Sequence, residues 1–209
     1  FQESDQPNYK NFLYQFVNAG YTNLNYKPDA SWDILLGMRA ENDISIIRYK
    51  SISDDINGSF RNITKNRTYF LPSLSIKKSL SSNLNLRFAT SKTITRPILI
   101  ETLPIEYINP DNNNIVGNFD RPNATFGEDF RGLDNSQNYN ADLKIEFFPK
   151  NNELFAVNVF GKKIDRAIER SYIASGNSTG TVITFFNAKS AILLGAEAEM
   201  NFGLDRFSE

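Results

Sequence analysis

The sequence predicts an all-β protein, an antiparallel up-and-down meander of about seven strands, and three observations predict it. First, apolar and polar residues alternate over many stretches, whereas helical periodicity is weak. In 138–147, for example, alanine, leucine, isoleucine and phenylalanine alternate with asparagine, aspartate, lysine and glutamate. Second, several alternating stretches are joined by short segments of turn-forming residues. Third, the other connections are long, so that short turns and long loops alternate along the chain.

Seven segments carry the alternation. Five of them lie at about 16–26, 32–45, 69–79, 83–94 and 188–202, and two more lie within 138–163. The short turns are KPDAS at 27–31, LSS at 80–82 and PKNN at 149–152. The long connections, expected to be irregular, are 46–68, 95–136 and 169–187. Most predicted strands exceed the roughly 5–6 residues usual in globular domains.

The arrangement of the loops favours a transmembrane β-barrel. In a meander, successive connections leave the sheet at opposite ends, so all short turns lie at one end and all long loops at the other. Outer-membrane barrels have short periplasmic turns, long outer loops and alternating strands of about ten residues. Tyr26, Trp32, Phe147 and Phe148 lie beside the predicted turns, where aromatic rings favour the headgroup level. The fold class is therefore a partial transmembrane barrel whose apolar face contacts lipid and whose polar face encloses water.

Composition removes several classes of function. The 209 residues include 23 basic and 24 acidic ones, a formal charge of -1 that argues against nucleic-acid binding. Histidine and cysteine are both missing, which removes thiol nucleophiles, histidine-based catalysis and the usual zinc sites. No cofactor, metal or catalytic residue is expected. No signal peptide is visible in residues 1–209, and because the first residue is Phe1, we interpret the chain as a processed or excised piece.

Alternation alone leaves a second interpretation open. A soluble β-sandwich, acting as a carbohydrate-binding or adhesin module, also alternates, with its apolar side facing a core. The two interpretations differ in where the apolar side chains point.

Five motifs, in order along the chain, resemble a known family. They are the 23–40 stretch, LPSLSIKKSLSSNLNLRFATSKTITRP at 71–97, NYNADLKIEFF at 138–148, LFAVNVFGKKIDRAIER at 154–170 and NAKSAILLGAEAE at 187–199. They are similar to segments of TonB-dependent outer-membrane receptors, especially the Bacteroidetes-type outer membrane protein beta-barrel family. The resemblance covers nearly the whole chain.

The resemblance implies a function and a set of partners. Receptors of this kind form 22-stranded barrels with a plugged lumen, so residues 1–209 would be one partial barrel domain without a plug, an internal part of a barrel in the outer membrane of a Gram-negative bacterium. It would import a scarce small molecule, such as an iron chelate or a corrinoid, or an oligosaccharide. Its partners would be outer-membrane lipid and, through a plug that is absent here, the TonB complex. The protein would not be an enzyme, and a passive porin-like channel is the alternative within the membrane class.

Candidate ligand contacts are few. Arg96 precedes Pro97 at the end of a strand, and Asp129 and Arg131 lie in the mixed aromatic and charged segment 126–134. Each has a structural interpretation, since Pro97 ends a strand ladder by withholding an N–H and 126–134 suits a solvated loop. The segment NPDNNN at 109–114 could offer oxygens to calcium but is more typical of an Asx-turn loop. Five charged residues on the predicted polar face are expected to pair across strands: Arg87, Lys144, Glu146, Glu197 and Glu199.

Overall fold

A computed structural model describes residues 11–49, 60–102, 106–108, 115–117, 133–150, 152–174 and 181–203. The elements are β1 Asn11–Tyr26, β2 Trp32–Tyr49, β3 Arg61–Ser81, β4 Leu84–Thr95, α1 Leu99–Thr102, β5 Glu106–Ile108, β6 Ile115–Gly117, β7 Ser136–Phe147, β8 Leu154–Asp165, β9 Ile168–Ala174, β10 Thr181–Asn187 and β11 Ser190–Asn201. Seven of them form one antiparallel sheet in the order β1-β2-β3-β4-β7-β8-β11. These are the seven predicted strands, so the all-β meander is confirmed.

The two faces of this sheet differ in chemistry, and β7 shows the difference. The side chains of Leu143 and Ile145 are 41% and 49% exposed. On the opposite side of the strand, Glu146 is 8% exposed and Asn138 is buried. Register places Leu143 beside Phe88 of β4, and the apolar side continues across the sheet. We call this apolar side the outer face and the opposite, polar side the inner face. A soluble sandwich buries its apolar face, so that interpretation is wrong for this sheet.

The apolar part of the outer face has polar limits at both ends. At the lower end the Lys78 ammonium lies 4.4 Å from the centroid of the Trp32 ring. At the upper end Asn42 donates hydrogen bonds to Asn66, at 2.7 Å, and to Thr68, at 3.3 Å. The ten steps along β2 from Trp32 to Asn42 rise about 26 Å, at about 3.4 Å per residue and a tilt of about 40°. This height matches the apolar band of roughly 25 Å on outer-membrane barrels.

The predicted turn at 27–31 is confirmed and closes the lower end of the first hairpin. The Asp29 carboxylate accepts hydrogen bonds from the Ser31 amide at 2.7 Å and from its hydroxyl at 2.5 Å. These bonds hold the pKa of Asp29 below its ordinary value. The turns between β3 and β4 and between β7 and β8 are also short, so the described short turns lie at one end of the sheet, as predicted.

The expectation that 46–68 and 169–187 are irregular is wrong. Strand β2 continues to Tyr49 and β3 begins at Arg61, so most of the first segment is strand. In the second segment β9 and β10 form a hairpin that continues the register of β8 and β11: Ser190 pairs with Asp165, and Asn187 pairs with Ile168. The third connection, 95–136, contains the short elements α1, β5 and β6. The long strands therefore extend beyond the apolar band.

A small core stabilises the extended part of the first three strands. Leu13, Ile47 and Ile63 form one row across β1, β2 and β3, and the buried Tyr49 joins them on the inner face. The sequence hides this core because Ile44, Ile46 and Ile47 follow one another closely, which breaks the alternation.

A second sheet continues from the long-loop ends of β8 and β11. Its strand order is β5-β6-β10-β9, and β6 runs parallel to β10. The described residues include no helix that is both long and apolar enough to cross a membrane.

Candidate functional site: the charged inner face

Charged side chains, together with some amides, form three clusters on the inner face and at its upper edge. The lower cluster consists of Arg87, Lys144, Glu146 and Glu199. The rim cluster consists of Gln15, Arg39, Glu41, Asp43, Arg96 and Asn135. The hinge cluster consists of Arg67, Asp134, Arg166 and Asn187. Each brings together residues from at least three strands or their flanking segments.

The lower cluster joins β4, β7 and β11. Arg87 lies 2.7 Å from Glu146, and the Lys144 ammonium lies 3.4 Å from Glu199 and 3.7 Å from Glu146. Strand β8 separates β7 from β11, but its residue between Glu146 and Glu199 is Ala156, whose short side chain leaves room for the contact. Four of the five charged residues predicted to face the lumen thus form ion pairs. The fifth, Glu197, lies on the same face of β11.

The rim cluster is built around two buried carboxylates on β2. Glu41 and Asp43 are 4% and 5% exposed, and alternation puts them on the same face. Arg96 donates to both: its Nε lies 2.9 Å from Asp43, and its second guanidinium nitrogen contacts Glu41. Arg39 adds a second guanidinium to Glu41 at 2.8 Å. Because an unpaired buried carboxylate is strongly unfavourable, Arg96 stabilises this part of the wall.

Amides complete the rim cluster and place Arg96. Gln15 and Asn135 donate to Asp43 at 3.2 Å and 2.9 Å. Strand β4 ends at Thr95 and Pro97 cannot extend a ladder, so the chain leaves the sheet where Arg96 reaches the inner face. The structural interpretation of Arg96 therefore has direct support from these contacts, and contact of Arg96 with a ligand stays a prediction.

The hinge cluster centres on Asp134. Its carboxylate lies 2.5 Å from Arg67 of β3 and 2.9 Å from Arg166, which follows β8. Burial raises the pKa of Asp134, but the hydrogen bond and charge of Arg67, together with Lys65 and Arg166, outweigh burial and hold the pKa below its ordinary value. Asp134 is therefore a charged link between the sheet and the segment that enters β7.

Arg166 and Asn187 hold the bend between the lower and upper parts of the last hairpin. Arg166 has a φ of 55°, a conformation that non-glycine residues rarely adopt. Its carbonyl accepts hydrogen bonds from Ser136, at 2.8 Å, and from the Asn187 amide, at 2.9 Å. Asn187 also donates to the Asp134 carbonyl and accepts from the Asp134 N–H. These bonds stabilise the change of direction from β8 to β9.

Other predicted candidates fall elsewhere. Asp129 and Arg131 lie outside the described residues, as does the segment 109–114. At the end of segment 126–134, Leu133 is buried and its carbonyl accepts a hydrogen bond from Lys65. Sequence reasoning did not identify Asp43, Asp134 or Arg166 as members of clusters. For Asp43, the polar side of the β2 alternation was the signal that could have done so.

The cavity between the rim and hinge clusters is small. It measures about 40 Å³ and is bordered by polar side chains that include Gln15, Asp43, Lys65 and Arg67. Ligand pockets are usually about 300–1,000 Å³, so this space suits water rather than a ligand. In the described ranges no three acidic, histidine or cysteine residues are placed to hold a metal ion.

Comparison with known proteins agrees with this architecture. Residues 2–208 match the model of a family described as "Outer membrane protein beta-barrel family". The curated proteins compared with the chain include no match. Similar solved structures include the hemophore receptor HasR of Serratia marcescens in complex with its hemophore HasA and heme, at 14% identity and a TM-score of 0.67, and the copper transporter OprC, at 13% and 0.61. The siderophore receptor PirA of Pseudomonas aeruginosa has 13% identity and a TM-score of 0.55.

The coverage of these comparisons is uneven. The aligned region includes 90%, 89% and 92% of this chain, but only 32%, 26% and 40% of HasR, OprC and PirA. At such low identity the structural likeness shows the fold alone. The chain therefore spans well under half the length of the structures that it resembles.

Proposed function

The chain belongs to the outer membrane protein beta-barrel family, and on that premise we propose that it forms part of the wall of a TonB-dependent receptor that imports a scarce ligand. Family membership places it in the outer membrane of a Gram-negative bacterium. The remaining strands, a plug domain and the contact with TonB belong to the proposal. The chain's share is barrel wall, lining of the lumen and outer loops, with no catalytic step.

One observation carries the proposal: the sheet has its apolar side chains exposed and its charged side chains inside. A lipid-facing surface and a wet, charged lining require a barrel wide enough to enclose water. Proteins with a similar fold are described as a siderophore receptor, a copper transporter and a hemophore receptor bound to heme. We therefore place metal chelates and heme first among the ligands, ahead of corrinoids and oligosaccharides.

The ion pairs suggest how the wall contributes. Charges of the lower and rim clusters are balanced by partners on other strands of the same sheet, so the lining is polar without carrying a strong field of one sign. Such a wall stays hydrated and keeps its shape while a plug rearranges beside it. Capture of the ligand would belong to the outer loops, where the sequence predicts Asp129 and Arg131, with Arg96 at the rim.

Transport assays in the native host test the proposal. The gene is deleted, and uptake of radiolabelled ferric siderophores, heme, a corrinoid and a labelled oligosaccharide is measured with and without the full-length gene. We expect one ligand class to lose uptake in the deletion strain and to regain it on complementation. A strain that keeps the gene but lacks TonB should lose that uptake as well.

The TonB arm separates the proposal from the passive channel. Uptake that needs this gene but continues without TonB would establish a porin-like channel instead. Unchanged uptake of every ligand in the deletion strain would remove the import function for the panel. Neither result would affect the placement of the sheet in the membrane.

A further inference from the structure

The outer face contains a groove that the transport function does not use. Its volume is about 520 Å³, within the roughly 300–1,000 Å³ typical of ligand sites. The groove, called here the outer groove, is lined by outer-face side chains from five strands, among them Leu24, Leu36, Pro72, Leu74 and Thr90, with Lys92 and Tyr139 at its β4–β7 end.

The groove has a cause in the sheet. The β3–β4 ladder reaches its upper limit at the pair Ser73–Ser91, and the next residue of β3 is Pro72, which has no N–H to extend it. Strand β3 stays paired with β2 above this point, while β4 stays paired with β7. Strands β3 and β4 separate there, and short side chains such as Thr90 leave the opening unfilled.

The chemistry of the groove changes along its length. Most of the lining is aliphatic, but Lys92 places its ammonium 5.5 Å from the centroid of the Tyr139 ring at one end. Lys163 lies on the same ring, at 6.0 Å, and is paired with Asp165 at 2.8 Å. Within the described part of the chain, no carboxylate forms an ion pair with Lys92. Lys92 is therefore a cation available to an anion outside the protein.

Height places this cation in the half of the bilayer nearer the long loops. The six steps along β4 from Leu86, which pairs with Lys78 at the lower limit of the band, to Lys92 rise about 16 Å, at about 3.4 Å per residue and a tilt of about 40°. The apolar band is roughly 25 Å high, so Lys92 lies above the middle of the band, and its flexible stem can carry the ammonium towards the headgroup level. Lys92 and Tyr139 thus lie in the outer-leaflet half of the band.

We propose that the outer groove binds a phosphorylated lipid of the outer leaflet, with an acyl chain along the aliphatic lining of the groove and the phosphate on Lys92. The apolar lining fits the chain, and the uncompensated ammonium complements the phosphate. Such a lipid fills a gap that the strands cannot close, and it would stay with the protein when bulk lipid exchanges. The site is independent of what the barrel imports.

Native mass spectrometry of the full-length protein in detergent tests the site. Three probes are added at equal concentration: dioleoyl phosphatidic acid, dioleoyl glycerol and inorganic phosphate. We expect the protein to retain phosphatidic acid best, dioleoyl glycerol about tenfold less because it lacks the charged contact, and inorganic phosphate not at all. Equal retention of the two lipids would overturn the assignment of the phosphate.

Two variants locate the site. Lys92→Ala should lower retention of phosphatidic acid about tenfold, whereas Lys77→Ala, which removes the same charge from the inner face of β3, should leave it unchanged. Thr90→Phe should fill the groove and abolish retention of both lipids, whereas Ala198→Phe on the outer face of β11 should not. Folding of each variant is checked by heat-modifiable gel mobility.

The comparison of Lys92→Ala with the unmodified protein decides the proposal. If both retain phosphatidic acid equally, the lipid associates with the surface in general, and the proposal is overturned.

Discussion

Two buried carboxylates on one strand make Arg96 important for stability. Glu41 and Asp43 point to the same side of β2, and Arg96 contacts both. Replacing Arg96 by alanine leaves Asp43 with amide donors and Glu41 with Arg39. We expect a loss of about 3 kcal/mol in the free energy of unfolding, the lower end of the range for breaking a buried pair, measured by denaturant unfolding of the full-length protein in detergent.

A double substitution provides the control for Arg96. In a background with Glu41→Gln and Asp43→Asn, removal of the Arg96 guanidinium leaves no buried negative charge behind. The loss caused by Arg96→Ala should then fall below about 1 kcal/mol, the value of an ordinary hydrogen bond. An equal loss in both backgrounds would show that Arg96 acts through packing and not through charge.

The lowered pKa of Asp134 predicts a dependence of stability on pH. A carboxyl group whose pKa is lower in the folded state stabilises the protein above its unfolded pKa of about 3.9, and that contribution is lost as pH falls through the folded value. At neutral pH, Asp134→Asn should lower the free energy of unfolding by about 1 kcal/mol, because the partners Arg67 and Arg166 remain partly exposed. The difference between the two proteins should shrink below about pH 4. A difference that stays constant from neutral pH to about pH 3 would contradict the role of the Asp134 charge.

At the scale of residues, the sequence does not show the register in which neighbouring strands pair. Alternation alone put Arg87 and Glu146 on the same face, and both lie there. Their pairing depends on how β4 aligns with β7, and the intervening connection 95–136 carries no periodicity that fixes this alignment. The contacts of Arg96 with β2 and of Asp134 with β3 each cross an intervening strand of the sheet, so the clusters could not be assembled from sequence.

At the scale of strands, one glycine makes room for an aromatic ring on the inner face. Gly195 of β11 lies opposite Phe160 of β8, and a Cβ at that position would be 2.3 Å from the ring. Gly195→Ala should therefore displace the ring and lower the free energy of unfolding by about 1–3 kcal/mol, as overpacking usually does. Thermal unfolding of the full-length barrel measures the change.

Another strand glycine supplies the matched comparison. A Cβ at Gly20 of β1 would meet nothing within 4 Å, so Gly20→Ala should leave stability unchanged or slightly higher. In a Phe160→Ala background the effect of Gly195→Ala should disappear as well. If Gly20→Ala and Gly195→Ala have the same effect, contact with the ring is not the reason for Gly195.

Sequence analysis placed correctly the strands that contact lipid on one face and water on the other. Lipid on one side and water on the other require strict alternation, which is visible in β4 and β7. The upper parts of β2 and β3 and the hairpin of β9 and β10 lie beyond the apolar band, where that requirement ends. Their residues, such as Ile44, Ile46 and Ile47, lack the alternating pattern, and the segments were mistaken for loops.

At the scale of the whole molecule, the two faces of the sheet are adapted to opposite environments, so the effect of a charge depends on the face that receives it. Leu74 and Ser75 are neighbours on β3 near the middle of the apolar band, but Leu74 pairs with Thr90 on the outer face and Ser75 pairs with Ala89 on the inner face. A lysine at the bilayer midplane on the lipid side of a barrel costs about 2–4 kcal/mol, whereas charge is tolerated in a wet lumen. Leu74→Lys should thus lower the free energy of unfolding in lipid vesicles by about 2 kcal/mol or more, and Ser75→Lys should change it little. The measurement is the folded fraction of the full-length protein across a denaturant series, separated by heat-modifiable gel mobility. If Ser75→Lys is as damaging as Leu74→Lys, the inner face is not in contact with water.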